Sequence, residues 1–439
     1  MKNLFLRLPY PLKVLATNFV AYRQKKQRYN KNFYKALAYY NSVDYSEEYH
    51  FDKDKFQSQI AGNAYFDPDK EIERYPVISK EDIKKDYQKI ISQKDVSSYL
   101  YTSGTTGAGL KFPVSSDFLN HQWAVFWKFR NIHGLTTDTW VAYFIGRTLF
   151  NVNQAKPPFW ISSYPTKQFL LSVYHLNDET IELYLDAIIK KGLHWIHAYP
   201  SVLHEIANLI KENHLEEKAK KMQIKVITTS SEKLFAHQKE NIESVFGCPV
   251  RQLYGLTEGV VNIFECEKGS FHIDESYSYV ELIPKEGNNQ NEYKIVGTSY
   301  HNRAFPLVRY DTGDTCIVEN IDTRCDCGRK SRIVKEIMGR DEDYLLLSNG
   351  VKLGRLDHIF KAMIHIKEAQ IYQKEIGKAE FRVVKGENYT QKDEEQLKHE
   401  IVEKLGKEFQ YEIVYVPKIE KSKRGKLKFV VNEVDKQKA

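Results

Sequence analysis

The sequence predicts an α/β fold with an α+β C-terminal part, and three observations support that prediction. Apolar runs typical of buried strands alternate with segments of helical periodicity through the middle of the chain, as in a parallel sheet with crossover helices. From Tyr277 onwards the pattern changes to short alternating strands. After residue 338 the composition shifts to a compact Lys/Glu-rich stretch. We therefore predict a large domain over residues 1–338 and a small α+β domain over 339–439.

The individual elements follow from apolar periodicity and from the residues that flank it. We predict helices over 178–191, 202–221 and 234–246, and strands over 97–101, 223–229, within 277–298 and 305–319, and leading into Tyr254. The strand at 223–229 is an apolar run that ends in hydroxyls, as a buried parallel strand does. Ligands of such sheets bind at the C-terminal ends of the strands, so we expect the site there.

Composition indicates a globular cytoplasmic protein. Hydrophobic residues make up 42% of the chain and charged residues 28%. Five cysteines are too few and too unevenly placed for a secreted disulfide framework, and neither a signal peptide nor a run of about 18 apolar residues is recognisable. The net charge of +7 is mild for this length, which favours a solvated Lys-rich surface over a surface for nucleic acid, membrane or anionic nucleotides. Since no nucleic-acid-binding motif accompanies the charge, we exclude that class.

The N-terminal segment is unusual because apolar residues stand beside basic ones. Leu15, Phe19 and Tyr22 recur at helical spacing, and a basic stretch runs from Arg23 to Lys31. One interpretation is a peripheral helix on a membrane surface. The other, which we favour at this stage, is a helix that packs on its own domain.

A phosphate-binding loop is predicted directly after the strand at 97–101. Its residues are glycines and hydroxyl side chains: Thr102, Ser103, Gly104, Thr105, Thr106 and Gly107. Glycines let backbone N–H groups converge on a phosphate, and hydroxyls add donors without a fixed charge. The run lacks the Gly-Lys-Ser/Thr of a Walker loop. Taken alone it is also typical of a surface turn.

Four further elements suit nucleotide chemistry, although each is a weak signal alone. In Tyr254-Gly255-Leu256-Thr257-Glu258, Thr257 can donate to a phosphate and Glu258 offers a hard oxygen ligand for Mg²⁺. In 310–314, Asp314 follows a tight turn and can accept from both hydroxyls of a ribose. The other two are 339–343, at the predicted domain boundary, and 425–428, in a basic stretch near the C-terminus.

In this order and spacing, the five elements resemble the adenylate-forming superfamily of acyl-CoA synthetases, luciferases and peptide-synthetase adenylation domains. Stretches 122–134, 157–160 and 195–201 are more specifically similar to the phenylacetate–coenzyme A ligase family and its CapK-type members from capsular and exopolysaccharide gene clusters. The resemblance covers essentially the whole chain. It implies that a carboxylate attacks the α-phosphate of ATP, giving an acyl-adenylate and pyrophosphate.

The resemblance also implies roles for individual residues. The loop Thr102–Gly107 would hold the β- and γ-phosphates, Thr257 and Glu258 the α-phosphate and Mg²⁺, and Ser231 and Glu232 the adenine side, next to the motif residues Tyr254 and Gly255. Asp314 and Arg340 would hold the ribose, and Lys426 would bridge the carboxylate and the α-phosphate. One departure is Ala108, where most of the superfamily has lysine. Lys111 is either a substitute charge or an exposed lysine on the next strand.

The implied function is activation of a carboxylic or amino acid, followed by transfer to coenzyme A or another nucleophile such as a sugar-linked acceptor, in the decoration of surface polysaccharide. The acid would bind near 199–201 and 230–231, where Trp195, His197 and Tyr199 either line a pocket or belong to the core. The alternatives are a catabolic phenylacetate or aryl-acid ligase and a non-catalytic scaffold subunit. The sequence leaves the acid, the acceptor and the oligomeric state open.

A structural zinc site is predicted within residues 264–330. Cys325 and Cys327 stand one residue apart on a turn, and Cys266 and His272 lie upstream. Three thiolates and one imidazole make a closed tetrahedral Zn²⁺ set. Similar Cys and His elements occur in the phenylacetate-ligase subgroup. The competing interpretation is buried reduced cysteines with an unrelated histidine.

Overall fold

The structure, a computed structural model, describes residues 2–43, 50–101, 111–146, 148–231, 234, 236–285, 291–319, 324–337, 344–353, 356–360, 365–386, 389–420 and 430–434. The α-helices of these segments are α1 (Lys2–Arg7), α2 (Tyr10–Arg28), α3 (Lys31–Ser42), α4 (Lys53–Ile60), α5 (Lys80–Ile90), α6 (Ser116–Ile132), α7 (Ile181–Lys191), α8 (Pro200–Glu212), α9 (Glu216–Lys221), α10 (Ala236–Phe246) and α11 (Gln391–Leu405).

The strands up to residue 284 are β1 (Ser98–Tyr101), β2 (Lys111–Val114), β3 (Val141–Ile145), β4 (Trp160–Ser163), β5 (Gln168–Ser172), β6 (Trp195–His197), β7 (Val226–Ser230), β8 (Val250–Gly255), β9 (Asn262–Glu265), β10 (Phe271–Ile273) and β11 (Ser278–Pro284). Those that follow are β12 (Glu292–Ser299), β13 (Tyr310–Ile317), β14 (Ile333–Val334), β15 (Glu336–Ile337), β16 (Leu345–Leu346), β17 (Lys352–Leu353), β18 (Ile366–Glu375), β19 (Lys378–Lys385), β20 (Gln410–Tyr415) and β21 (Val430–Asn432).

The largest sheet has nine strands in the order β14-β10-β9-β8-β7-β6-β3-β5-β4. Its centre, from β8 to β5, is parallel, and both margins are antiparallel. Helices α7, α8 and α10 pack on one face with a core of aliphatic side chains, and α3 and α6 pack on the other with a core rich in aromatic rings. This layering confirms the predicted α/β class.

The described residues also form two four-stranded sheets and two two-stranded ones, β1-β2 and β16-β17. One four-stranded sheet is antiparallel, in the order β11-β12-β13-β15, and contains the segment predicted to hold short alternating strands. The other has the order β20-β19-β18-β21, with α11 connecting the parallel strands β19 and β20. This second sheet is the predicted α+β C-terminal part. The predicted boundary at 338/339 lies outside the described residues and stays a prediction.

Most of the predicted elements are present, with two differences. The predicted helix 202–221 is two helices, α8 and α9, because the chain turns at His214, which has a φ of 55°. Strand β1 pairs only with β2, in register from Ser98–Val114 to Tyr101–Lys111, and so forms a separate hairpin. The predicted phosphate-binding loop, residues 102–107, lies outside the described residues.

The C-terminal sheet contacts the large sheet through the end of α11. The Lys404 ammonium donates to the carbonyl of Gly146 at 3.3 Å, just after β3, and the Thr148 hydroxyl donates to the carbonyl of Glu403 at 2.9 Å. At Gly406, whose φ is 89°, an added Cβ would stand 2.9 Å from the Val152 side chain. The C-terminal part therefore lies against the carboxyl edge of the parallel strands.

Candidate functional site

The carboxyl ends of four adjacent parallel strands form one edge of the large sheet. There β3 ends at Ile145, β6 at His197, β7 at Ser230 and β8 at Gly255. The Cβ position of Gly146 lies 3.6 Å from the Tyr199 ring, so the chain after β3 closes onto the chain after β6. The predicted residues Ser231, Tyr254 and Gly255 all stand at this edge, and Ser231 adopts a φ of 75° that directs the chain away from the strand.

The loop after β8 carries Thr257 and Glu258, and two contacts fix its course. The Gln122 side-chain amide on α6 donates to the carbonyl of Leu256 at 3.2 Å. Gly259 adopts a φ of 66°, and a Cβ there would stand 2.2 Å from the Phe118 ring. Only glycine fits a left-handed conformation at such close approach. The loop is thus pinned on both sides of Thr257 and Glu258, which are half-buried.

A hydrogen bond joins this edge to the neighbouring sheet. The Tyr254 hydroxyl at the end of β8 donates to Oδ2 of Asp314 on β13 at 2.7 Å. Asp314 is itself held, because its backbone N–H donates to the Thr312 hydroxyl, which in turn donates to the carbonyl of Ile295. Two of the sequence elements predicted to bind nucleotide are therefore in direct contact, although they lie 60 residues apart.

Arg309, which sequence reasoning missed, anchors the strand that carries Asp314. Its guanidinium pairs with both carboxylate oxygens of Glu281, at 3.0 and 2.8 Å, and also donates to the carbonyls of Glu73 and Tyr75. A bidentate pair of this kind is strong and directional. A basic residue directly before the 310–314 motif could have predicted an ion pair that fixes the position of this strand.

Several predicted site residues lie outside the described part of the chain. They are Thr102, Ser103, Gly104, Thr105, Thr106, Gly107, Glu232, Arg340 and Lys426. Lys111 is described: it is exposed on β2, and its ammonium lies 4.0 Å from the centroid of the Tyr99 ring. The predicted roles of all these residues, including phosphate contact by Lys111, stay predictions.

Aromatic side chains of α6, β3 and β6 pack around Arg130, and we call this buried group the recess. The Arg130 guanidinium on α6 stands 4.6 Å from the Trp127 ring and 5.4 Å from the Trp195 ring. On the strands, His197 stacks on Tyr143 with centroids 5.0 Å apart and planes within 2°. Within the described residues, no hydrogen bond or ion pair engages the Arg130 guanidinium. Burial lowers the pKa of the Arg130 guanidinium, and the Tyr29 and Tyr143 side chains oppose this effect only in part.

Two hydrogen bonds at Thr228 position the ring of His197. The buried Thr228 hydroxyl oxygen accepts from the Trp195 indole N–H at 2.8 Å and contacts His197 Nδ1 at 2.9 Å. Its own proton is best placed on Nδ1, which leaves Nε2 of the imidazole as a donor. Burial and then the Arg130 charge lower the His197 pKa to about 3, so the ring is neutral near pH 7. The recess thus offers a guanidinium and a neutral imidazole donor.

The four predicted zinc ligands come together at the margin of the large sheet. Cys266 follows β9, His272 lies in the middle of β10, and Cys325 and Cys327 stand on a turn before β14. Their ligand atoms all lie within 4.8 Å of one another, with Cys266 and Cys325 sulfurs 3.7 Å apart and Cys327 Sγ 3.3 Å from His272 Nε2. A tetrahedral Zn²⁺ with bonds of about 2.3 Å to sulfur would hold two sulfurs roughly 3.8 Å apart. The observed distance of 3.7 Å between the Cys266 and Cys325 sulfurs agrees with that geometry.

The surroundings of His272 suit metal ligation as well. Its Nδ1 lies 2.9 Å from the buried Ser331 hydroxyl, which leaves Nε2 towards the thiols. Such an outer hydrogen bond fixes the ring orientation of metal-bound histidines. Burial raises the Cys266 pKa to about 11, and burial together with Arg329 lowers the His272 pKa to about 4. Cys248 and Cys316 are buried among apolar residues, as predicted.

A second group of potential ligands was not predicted. His121 and His301 stack with centroids 3.7 Å apart and planes within 6°, and the Tyr40 hydroxyl contacts both rings, at 2.8 and 3.1 Å. Asp117 lies 3.7 Å from His121. In-plane nitrogen lone pairs of parallel rings do not converge on one ion. We therefore interpret this group as a hydrogen-bonded histidine pair that ties α3 to α6.

Comparison with known proteins identifies the C-terminal part. The CapK C-terminal domain matches residues 347–433, which include β18 to β21 and α11. The chain is also similar over most of its length to Protein CapK of Staphylococcus aureus, with 26% identity across 93% of this chain and 94% of that one. The CapK-type resemblance predicted from the sequence is confirmed, and the CapK domain is the part that lies against the carboxyl edge of the large sheet.

Solved structures with a similar fold include coenzyme A ligases. One is 2-hydroxyisobutyryl-CoA ligase in complex with 2-HIB-AMP and CoA in the thioesterification state, with a TM-score of 0.49, 15% identity, and coverage of 99% of this chain and 92% of that chain. Another is a malonyl-CoA ligase with methylmalonyl-CoA and AMP bound, with a TM-score of 0.43, 18% identity, and coverage of 75% and 73%.

Proposed function

We propose that this chain activates a carboxylic acid with ATP, forming an acyl-adenylate and releasing pyrophosphate. The observation that carries the proposal is the hydrogen bond between Tyr254 and Asp314, which brings two predicted nucleotide-binding elements together at the carboxyl edge of a parallel sheet. Sheets of this type bind nucleotides at that edge. The pinned loop with Thr257 and Glu258 adds a hydroxyl donor and a carboxylate at the same place.

In this proposal each residue of the edge has a part in binding ATP. Asp314 accepts hydrogen bonds from the ribose hydroxyls, and Arg340 donates to the ribose. Ser231 and Glu232 face the adenine with Tyr254 and Gly255. The loop 102–107 holds the outer phosphates, with Lys111 as its supplementary charge. Thr257 binds the α-phosphate, and Glu258 is a ligand for the Mg²⁺ that would neutralise phosphate charge. Lys426 bridges the attacking carboxylate and the α-phosphate, so its contribution is positioning and electrostatic stabilisation.

The recess with Arg130 and His197 is the proposed site for the remainder of the acid. The Arg130 guanidinium contacts two indole rings and has no hydrogen bond or ion pair within the described ranges, so it suits an anionic or strongly accepting group, and His197 Nε2 adds a neutral donor. The substrate class is thus a small acid with a second polar group, such as a dicarboxylic or hydroxy acid. Phenylacetate, the alternative substrate, has no second polar group that could bind Arg130. An amino acid would place its positively charged ammonium group close to the Arg130 guanidinium.

The second step and the setting follow from the CapK relationship. We propose that the acyl group passes to coenzyme A or directly to a sugar-linked acceptor, in the cytoplasm, for decoration of surface polysaccharide. The cluster Cys266–His272–Cys325–Cys327 would bind Zn²⁺ with no open position, and so would stabilise the sheet margin without touching substrate.

The test is pyrophosphate release by the purified chain with ATP and Mg²⁺ across matched acids. Butyrate is the reference acid. Compared with it, succinate adds a second carboxylate, 2-hydroxyisobutyrate a hydroxyl, phenylacetate an aromatic ring and alanine an ammonium group. Release that favours acids with a second polar group supports both the reaction and the recess. A preference for phenylacetate would support acid activation but would contradict the proposed role of the recess in binding a second polar group. No release with any acid would promote the non-catalytic scaffold.

A further inference from the structure

The exposed apolar side chains of this protein are concentrated at its N-terminus. Along α2, Leu12, Leu15, Phe19 and Tyr22 are 47%, 65%, 64% and 56% exposed. Their spacing of three, four and three residues places them on one face of the helix. Scattered exposed apolar residues are ordinary, whereas a continuous exposed row marks an interaction surface. We call these four residues the apolar row.

Other side chains of α2, on the flank of the apolar row and behind it, attach the helix to the body of the protein. The Asn18 side-chain amide donates to the carbonyl of Ser162 at 2.8 Å, and its oxygen accepts from the N–H of Tyr164 at 2.8 Å. The Tyr10 hydroxyl donates to the carbonyl of Trp160. These contacts satisfy backbone groups along β4, the edge strand of the large sheet. Because these side chains fix the helix on the sheet, the apolar row is held pointing outwards.

The charge of the whole chain is also located in this region. Residues 1–43 contain nine basic residues and no Asp or Glu, whereas residues 44–439 contain 56 basic and 58 acidic residues. The net charge of +7 therefore arises from the N-terminal segment, not from a uniformly Lys-rich surface as the sequence analysis favoured. Arg23 and Lys26 continue the exposed face beyond Tyr22, and the Lys26 ammonium lies 5.8 Å from the Tyr22 ring.

We propose that α2 is an interfacial helix that attaches this protein to an anionic membrane surface. Leucine and aromatic side chains on one face with lysine and arginine beside them are what such a helix requires, since apolar side chains enter the headgroup region and cations meet anionic lipid. A second copy of the chain suits the surface less well. Two copies meeting through the apolar row would bring two segments with nine basic residues and no acidic ones close together.

The proposed attachment is peripheral and uses one face of α2. Among the residues that are described, no helix combines the length and the apolar character that a membrane span requires. A reaction catalysed at the sheet edge would then take place beside the membrane, where lipid-linked acceptors are located. Membrane attachment does not depend on the proposed acid activation, and the two are tested separately.

The experiment is flotation of the purified full-length chain with vesicles. The probes are vesicles of phosphatidylcholine alone and of phosphatidylcholine with about 30 mol% phosphatidylglycerol. We expect flotation with the anionic vesicles only, weakened in about 1 M salt. The double variant L15S/F19S should reduce binding about tenfold or more, and R23E/K26E by a similar factor, because the two variants remove the apolar and the charged contributions separately.

The matched control is Leu183→Ser on α7, which removes another exposed leucine outside α2. It should float like the natural chain. Circular dichroism of L15S/F19S should be unchanged, since both side chains already face solvent. Absence of flotation with anionic vesicles would overturn the proposal. A concentration-dependent dimer that L15S/F19S abolishes, without vesicle binding, would assign the surface to a second copy instead.

Discussion

Among individual residues, Asp314 is the one whose position is most fully determined. Its carboxylate accepts from Tyr254, and its backbone N–H is held by Thr312. A carboxylate fixed in this way can receive ribose hydroxyls without losing side-chain freedom on binding. Tyr254 is consequently a positioning residue in the proposed site, because it acts on the nucleotide through Asp314.

We expect Tyr254→Phe to raise the KM for ATP about five- to tenfold and to leave kcat nearly unchanged. The substitution removes one hydrogen bond, worth about 1 kcal/mol, from the carboxylate and leaves the ring in place. Asp314→Asn should be more severe, by about tenfold further. Steady-state kinetics with varied ATP measure both effects. Tyr164→Phe, at a hydroxyl far from the edge, is the control. An unchanged KM for ATP in Tyr254→Phe would contradict the proposed role of the Tyr254–Asp314 pair in nucleotide binding.

Arg130 leads to a prediction about the acid. Arg130→Met keeps much of the contact with Trp127 and Trp195 but removes the charge. We expect the KM for an acid with a second polar group to rise about 10- to 100-fold, as for the loss of a charge-assisted hydrogen bond, with the KM for ATP unchanged. Arg28→Met provides a matched control, since Arg28 also lies over an indole, at 4.4 Å from Trp123, but outside the recess. Equal effects of both variants would indicate a purely structural role for Arg130.

Among the structural elements, the margin formed by β9, β10 and β14 contains the proposed zinc ligands. Three thiols and an imidazole lie together there, and the strand β14 that closes the margin has only two residues. Short strands of this kind gain little from backbone pairing alone. A structural Zn²⁺ would contribute the missing stability.

We expect the natural chain, purified without added zinc, to contain close to one Zn²⁺ per chain. Cys327→Ser should lose the metal and lower the thermal midpoint by several degrees, because a zinc ligand is replaced by a weak one. Cys248→Ser, at a buried cysteine outside the cluster, should keep the metal. Elemental analysis beside thermal unfolding measures both quantities. A natural chain without zinc, equally stable with and without a chelator, would leave the cluster as reduced cysteines.

For the molecule as a whole, the sequence predicts the architecture better than the details of the site. Two neighbouring strands are located by the apolar run 223–229 and by the motif at 254–258. Local patterns suffice for this because a short apolar run indicates a buried strand and the polar residues after it indicate its end. The contact of Tyr254 with Asp314 joins different sheets, and no local pattern encodes it. Arg130 was missed for the same reason: its aromatic neighbours come from α6, β3 and β6, which only tertiary packing brings together.

The N-terminal helix shows a different limit of sequence reasoning. Periodicity predicts an amphipathic helix correctly, but it does not say which face meets the protein. The structure resolves this at Asn18, whose amide pairs with the backbone of β4 and turns the apolar row outwards. The prediction that this helix packs on its own domain is confirmed, and its attachment to a membrane surface stays a proposal.

The C-terminal domain decides whether the proposed reaction takes place. It meets the carboxyl edge of the large sheet through Lys404 and Gly146, and Lys426 belongs to the same domain. In the proposed reaction a lysine from this domain reaches the α-phosphate and the acid, so the two parts of the chain must act together.

The most direct measurement is acid-dependent exchange of pyrophosphate into ATP by the natural chain and by Lys426→Ala. Exchange reports formation of the adenylate and does not depend on any acceptor. We predict exchange by the natural chain with at least one acid that carries a second polar group. For Lys426→Ala we predict a loss of about 100-fold or more, as for removal of a major electrostatic stabiliser. Exchange at the normal rate in Lys426→Ala, or none by the natural chain with any acid, would contradict the proposed function.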